Sequence, residues 1–440
     1  MTGSPDLHTD DLFGALSEPV LTSMNQLNEI AQRHPDAIAL AAGRPSEAYF
    51  EIKDLHDYLR AFTDHLADER GLDAGAVRET LFQYGRTKGV VHDLVAENLR
   101  VDEGIVCDPE AIVVTVGCQE AMYLVLRALR ADARDVLLAI SPTYVGLSGA
   151  ARLADLPVLP VPGGATGADP QALRAALEHA RREGLRPRGC YVMPDFANPS
   201  GLTLGMETRR ELLRLAQEEE LLLLEDNPYG LFGDPGQQRL PTLKALDTER
   251  SVVYLGSFAK TALPGARVGY LVADQRVADA AGRVGLFADQ LSKLKSMLTV
   301  NTSPIAQAVV GGKLVRHGCS LLAANVRERE VYSRNLRLLL SGLERRLPDA
   351  ARLGVSWQVP TGGFFAVLTV PFTADDAALE LSAGKYGVLW TPVSHFYDGG
   401  GGERQLRLSV SAVTPEEIET GLDRLAAFLR EQSPKGESDA

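Results

Sequence analysis

The sequence predicts an α/β protein, with a large domain on a mostly parallel sheet followed by a smaller α+β domain. Three observations carry this. Short leucine- or valine-rich runs alternate with longer amphipathic stretches through much of the chain. Those runs are apolar throughout rather than at every second residue, as strands buried on both faces require. Beyond about residue 275 the texture changes to long helical patterns broken by brief strand-like runs.

Taken in order, "AIVVTVG" reads as a strand and "CQEAMYLVLRALR" as the helix after it. "DVLLAIS" and "GCYVMPD" are further strands, and "ETRRELLRLAQEEE" is a helix leading into the strand "LLLLEDN". "SVVYLGS" and "RVGYLVA" complete the set. Each run ends in a polar or glycine-bearing loop. Ligands of open α/β sheets sit beyond the carboxyl ends of the strands, so "VGCQ", "SPTY", "DFANPSG", "EDNPYG" and "GSFAK" are expected along one edge. Downstream, "QLSKLKSMLTVNTSPIAQAVVGGKLVRHG" reads as one long helical pattern, continued by "LLAANVREREVYSRNLRLLLSGLERRL". "WQVPTGGFFAVLTVP" and "LRLSVSAVTPEEIETGLDRLAAFLREQ" supply strands and a closing amphipathic helix. "DGGGGE" reads as a flexible loop and "SPKGESDA" as a frayed tail. The expected division is an N-terminal arm over 1–45, a large domain over 46–325 and a small domain over 326–440.

Composition narrows the function. With 45 Lys+Arg against 58 Asp+Glu the net charge is −13, which opposes binding to nucleic acid or an anionic membrane surface. The four cysteines, Cys107, Cys118, Cys190 and Cys319, form no C-x-x-C pair, so no zinc knuckle or redox motif is indicated and no metal is expected. The first residues show neither a basic n-region nor an apolar h-region, and no run matches a membrane span; a cytoplasmic location is expected. A small-molecule partner follows.

The chemistry concentrates in "SFAKTALPGARVGY", Ser257 to Tyr270. Only a neutral amine attacks an aldehyde carbon, and burial or neighbouring cations are what make a lysine neutral. Lys260 sits beside the Ser257 hydroxyl, and after the bend at Pro264 and Gly265 comes the fixed charge of Arg267. An amine next to an anion-binding pair suits a phosphorylated aldehyde. This segment resembles the lysine motif of the fold-type I, class I/II aminotransferases, which use pyridoxal 5'-phosphate (PLP), and the resemblance runs over roughly residues 25 to 430. It implies an aspartate aminotransferase-like large domain and assigns roles to the other loops.

By that resemblance, Asp226 in "LLLLEDNPYG" faces the pyridine nitrogen, and Tyr229 donates to the ring's phenolate oxygen. Asn198 in "NPSG" reaches the same oxygen and lies on the substrate side. Gly117, Cys118 and Gln119 in "TVGCQEAM" present backbone N–H groups to the phosphate together with Ser257 and Arg267; the family often has Ser or Ala where Cys118 stands, which puts any side-chain hydroxyl contact there in doubt. Tyr144 in "SPTYVG" stacks on the ring. Tyr84 in "QYGRTKG" reaches the phosphate from a second subunit, so a homodimer is implied. Arg407 in "LRLSVS" holds the substrate carboxylate, with Arg404 as a nearby decoy whose flanks do not match. Lys260, Asp226 and Tyr229 form the catalytic set, and the partners implied are an amino acid and a 2-oxo acid.

The cofactor residues alone leave other PLP chemistries open, because oxidases, decarboxylases and lyases share them. An aminotransferase-like transcription regulator is the non-enzyme alternative, though its basic helix-turn-helix is missing from the acidic N-terminal stretch. "MNQLNEIAQRHPDAIALAAGRPSEAYF" and "TPVSHFYDGGGGERQLRLS" resemble the hydroxyphenylglycine-type transaminases of peptide-antibiotic pathways more than 2-aminoadipate or broad-range transaminases. On this reading Arg44 binds a phenol oxygen or a side-chain carboxylate, and Tyr49, Phe50 and Phe396 wall an aromatic ring.

Overall fold

Seven strands form the central sheet of the structure, a computed structural model that describes residues 7–18, 21 and 29–433. All but the first residue of the expected frayed tail (433–440) and part of the expected arm lie outside the described residues; Ser433 itself is buried, its N–H donating to Leu429 O at 2.9 Å. Across the sheet the order is Ile112–Val116, Val268–Val272, Val252–Ser257, Leu222–Asp226, Arg186–Val192, Asp135–Ser141 and Val158–Pro162. The Val268–Val272 strand runs antiparallel to both neighbours, and every other pairing is parallel. "RVGYLVA" thus reverses direction. Only residues 258–267 join it to the preceding strand, too few for the helical crossover that a parallel return needs.

Helices cover both faces, which is why these strands are apolar throughout. Leu124, Val125, Leu147 and Ala151 pack on one side, and Leu173, Leu177, Leu212 and Leu215 on the other. The long helical pattern after residue 287 is two helices, Phe287–Leu298 and Pro304–Arg316. Pro304 occupies the first turn of the second helix, where its missing N–H costs nothing, and the Ser303 hydroxyl accepts from the Ala306 N–H at 3.4 Å.

A second, four-stranded antiparallel sheet orders Ser356–Trp357, Phe365–Thr369, Gln405–Ser409 and Thr391–Pro392. The helices Val326–Arg346 and Pro415–Gln432 pack against it around Trp390, Leu406 and Leu408. Ile30 and Leu40 belong to this same core, and Ile38–Ala39 pairs parallel with Val388–Leu389. Residues 40–43 then cross the Gln405–Ser409 strand: Ser409 N–H donates to Leu40 O at 2.7 Å, and the Ser409 hydroxyl to Ala42 O at 2.6 Å. Among the described residues no helix is long and apolar enough to cross a membrane.

Candidate active site

Asp226 closes the Leu222–Asp226 strand at 2% exposure. Tyr191, on the neighbouring strand, donates its hydroxyl to Asp226 Oδ2 at 2.6 Å, and the Cys118 thiol lies 3.6 Å from Oδ1. Register explains the first contact: Tyr191 pairs with Leu224, two residues before Asp226, so all three side chains share one face. Burial pushes the Asp226 carboxyl up to about 6, against the pull of Tyr191, Cys118 and the Lys260 charge.

Lys260 stands just beyond the next strand. Its Nζ donates to Gly43 O at 2.8 Å and lies 5.9 Å from the Tyr229 ring centre. Burial lowers its pKa to about 8, reinforced by the Arg267 and Arg407 charges and opposed by Asp226. Tyr229 is buried edge-on against Phe364 and Phe365, with ring centres 5.2 and 5.3 Å away. Burial pushes its hydroxyl up, and the Asn198 side chain pulls it back.

The turn from Val116 into the Gly117–Leu129 helix adopts φ +70° at Gly117, the left-handed region that glycine favours. A Cβ there would stand 2.5 Å from Arg267 Nη2, so the guanidinium lies directly on the turn. Gly269 is equally confined: its Cβ would meet the Cys118 backbone nitrogen at 2.5 Å. Ser257 pairs in register with Gly269, and its hydroxyl accepts from the Ala259 N–H at 3.2 Å. The Gln119 amide donates to Gly146 O, joining this turn to the start of the Val145–Leu153 helix. Tyr144 precedes that helix, its hydroxyl pushed up to about 12 chiefly by burial.

Arg407 is 6% exposed on the Gln405–Ser409 strand. Its Nη1 donates to Asn198 Oδ1, and its Nη2 to Ala41 O at 2.8 Å and Thr391 Oγ1 at 3.1 Å. Its Nε is buried without a partner. Phe365 and Phe396 flank the guanidinium, their ring centres 4.4 and 5.1 Å from Cζ. Burial lowers its pKa to about 10.

One chain therefore brings together Lys260, Asp226, Tyr229, Asn198, Gly117, Cys118, Gln119, Tyr144, Ser257, Arg267 and Arg407. Four expected residues stand apart: Tyr49 meets Tyr332 with ring centres 6.1 Å apart and, with Phe50, lines a separate hollow beside Tyr58 and Arg327, and Tyr84 and Arg44 lie at the surface. Tyr84 is 83% exposed, and Arg44 is exposed with its Nη1 on Glu47 Oε2 at 2.8 Å. Sequence reasoning missed Tyr191, Thr391 and the carbonyls of Ala41 and Gly43. For Tyr191 a signal existed, since a tyrosine inside a fully apolar strand needs an acceptor for its hydroxyl. A cleft of about 660 Å³ borders the site through Tyr144, Tyr191 and Asn198, and it extends away from Lys260 between the two sheets.

The donor set has a consistent chemistry. An amine below its usual range suits an aldehyde carbon, a buried carboxylate bonded only to neutral donors suits a pyridinium, and a glycine turn under a guanidinium suits a phosphate. The unpartnered Nε of Arg407 leaves a donor for a carboxylate.

This fold and site define a PLP-dependent enzyme. The chain belongs to the class I and II aminotransferase family, whose sequence pattern matches residues 35–425. It is 55% identical over 426 residues, 97% of its length and 95% of the relative's, to an (S)-3,5-dihydroxyphenylglycine transaminase of Amycolatopsis orientalis. It is 30% identical, over 93% of its length and 94% of the relative's, to a 2-aminoadipate transaminase of Thermus thermophilus. Among solved structures it resembles a Pyrococcus horikoshii kynurenine aminotransferase, with a TM-score of 0.79 and 28% identity over 97% of this chain and 98% of that one.

Proposed function

We propose that the enzyme transfers an amino group between an aromatic donor such as tyrosine and a hydroxyphenylglycine-type 2-oxo acid, as a homodimer in the cytoplasm. The observation that carries the substrate class is the seat of Arg407, between Phe365 and Phe396 with a buried donor to spare. A carboxylate held there has aromatic surface beside it. A phenylglycine carries its ring directly on the α-carbon and uses that surface at once, whereas aminoadipate needs a long pocket ending in a cation. Arg44, the candidate for such a cation, engages Glu47 instead. The relative named for (S)-3,5-dihydroxyphenylglycine supports the same reading.

Bound PLP supplies an electron sink for the pair left when the α-carbon loses its proton. The protein's part divides among the residues above. Lys260 Nζ, with its pKa lowered to about 8, would hold the cofactor through its aldehyde group and, once the substrate amine has taken that place, would accept and return the substrate α-proton. Asp226 holds a proton on the pyridine nitrogen, and Tyr191 and Cys118 orient its two oxygens. Tyr229 and Asn198 would serve the cofactor's phenolate oxygen, and Tyr144 would pack on its ring. Gly117, Cys118, Gln119, Ser257 and Arg267 take the phosphate. Arg407 fixes the substrate carboxylate so that the Cα–H faces Lys260.

Exposed apolar side chains support the dimer. Met297 is 86% exposed, Phe82 69% and Ile305 50%. Phe82 is two residues from Tyr84, and Ile305 follows Pro304, which lies against Gly85. The four cysteines, spaced without a pairing motif and free in the structure, support the reducing compartment.

The deciding experiment is a panel of amino donors and 2-oxo acids followed by half-reaction spectra. Hydroxyphenylglycine-type and tyrosine-type substrates should react faster than aminoadipate and 2-oxoglutarate. Faster aminoadipate turnover that Arg44→Ala selectively removes would make Arg44 a distal-carboxylate clamp and overturn the reading.

A further inference from the structure

Glu120 sits on the first turns of the Gly117–Leu129 helix, 7% exposed. An anion there should repel a phosphate bound at the helix start, since that end of a helix attracts negative charge and Glu120 competes for it. The structure resolves the conflict beneath the turn. Lys295, fully buried on the Phe287–Leu298 helix, donates from Nζ to Glu120 Oε2 at 2.8 Å. The same Oε2 accepts the Val116 N–H at 2.6 Å, and Oε1 accepts the Thr299 hydroxyl at 2.6 Å. Lys295 Nζ also donates to Thr299 Oγ1 at 2.9 Å.

These contacts do two things. Val116 is the residue before Gly117 and has no side-chain cap of its own. Glu120 takes up its N–H and so sets the direction of the turn, leaving the N–H groups of Gly117, Cys118 and Gln119 to a ligand. Lys295 cancels the carboxylate's charge at the place where an uncompensated anion would do most harm. The link is anchored from below, because Lys295 O accepts the N–H groups of Thr299 and Val300 at 3.0 and 3.1 Å, and the Thr302 hydroxyl donates to Val114 O at 3.0 Å.

We propose that Glu120 and Lys295 are positioning residues for the cofactor phosphate: the carboxylate shapes the Val116–Gly117 turn, and the buried ammonium keeps that carboxylate from repelling the phosphate. This rests on the reading that Gly117, Cys118, Gln119 and Arg267 take the phosphate. A purely structural ion pair would weaken every ligand alike, whereas this pair acts on the phosphate alone.

The test compares dissociation constants of PLP and of unphosphorylated pyridoxal for the cofactor-free protein, read by absorbance or fluorescence titration. Lys295→Met should weaken PLP by about tenfold or more, as an unpaired buried charge next to the ligand predicts, and leave pyridoxal nearly unchanged. Adding Glu120→Gln to Lys295→Met removes the stranded anion and should recover most of the PLP affinity. Thr299→Val, which keeps both charges and removes one donor to Glu120, should produce a smaller loss confined to PLP and stands in if Lys295→Met does not fold. Equal losses for PLP and pyridoxal, or no recovery in the double variant, overturn the proposal. Arg267→Ala in the same assay reports on the phosphate reading itself: if it too leaves the PLP-to-pyridoxal ratio unchanged, that reading fails independently of Lys295.

Discussion

The Tyr191 hydroxyl donates to Asp226 Oδ2 at 2.6 Å, in the buried space between two parallel strands. This bond lowers the Asp226 pKa, whereas burial raises it to about 6. Tyr191→Phe should therefore raise it further, and the acid limb of the transamination pH profile should move to higher pH with a modest loss on the plateau. An unmoved limb would remove Tyr191 from the site's proton balance.

Asp226 also makes a stability prediction. In the cofactor-free protein its folded pKa, about 6, lies above its ordinary value of 3.8. Its contribution to stability is then full below about pH 3.8 and is lost as pH rises through about 6. Asp226→Asn should consequently stabilise the cofactor-free protein above pH 6, by about 2–3 kcal/mol from a shift of about two units, while slowing proton abstraction severely. Thermal melts of both proteins at pH 5 and pH 8 check the sign.

Borohydride treatment of the yellow, cofactor-loaded protein should fix the cofactor covalently on Lys260, as peptide mass mapping would read. Lys260→Ala should fold, retain PLP through its phosphate contacts and lose transamination by about 100-fold to 10,000-fold. Mapping to another lysine would end the mechanism.

Arg407 and Arg267 should separate cleanly. Arg407→Ala should weaken amino-acid binding by about 2–5 kcal/mol, the cost of a lost buried charge partner, with cofactor retention nearly unchanged. Arg267→Ala should do the reverse. Equal cofactor loss in both variants would dissolve the division between carboxylate and phosphate ends.

If Tyr84 completes a neighbouring site, mixing Tyr84→Phe subunits with Lys260→Ala subunits should recover activity, because one site of the mixed dimer then carries both lesions and the other none. Absence of recovery would count against a shared site.

Much of this architecture is legible in the chain because a buried parallel strand and the loop after it leave a local mark: an apolar run, then glycine or a polar turn. Lys260, Asp226 and Arg407 stand in or beside such marks. Tyr191 does not, because its partner lies on another strand and only the register brings them together. The reversal at Val268 was readable from the shortness of the 258–267 link. The break after Leu298 was signalled by "NTSP", which helical periodicity on both sides obscured. The carbonyls of Ala41 and Gly43 carry no side-chain signature, and their roles arise from pairing with residues 366 and 217 positions further along the chain.

That pairing bears on how the enzyme is made. Ala41 O receives Arg407 Nη2, and Gly43 O receives Lys260 Nζ, while Ile30 and Leu40 fill a core whose other members come mainly from residues 336–429. A ribosome releases residues 30–43 long before their partners exist. This stretch must therefore wait, unpaired, through nearly the whole of synthesis, and the active site closes only when the last strand and helix arrive to receive it. Nascent chains stalled before residue 405 should bury the central sheet yet leave this N-terminal stretch open to protease.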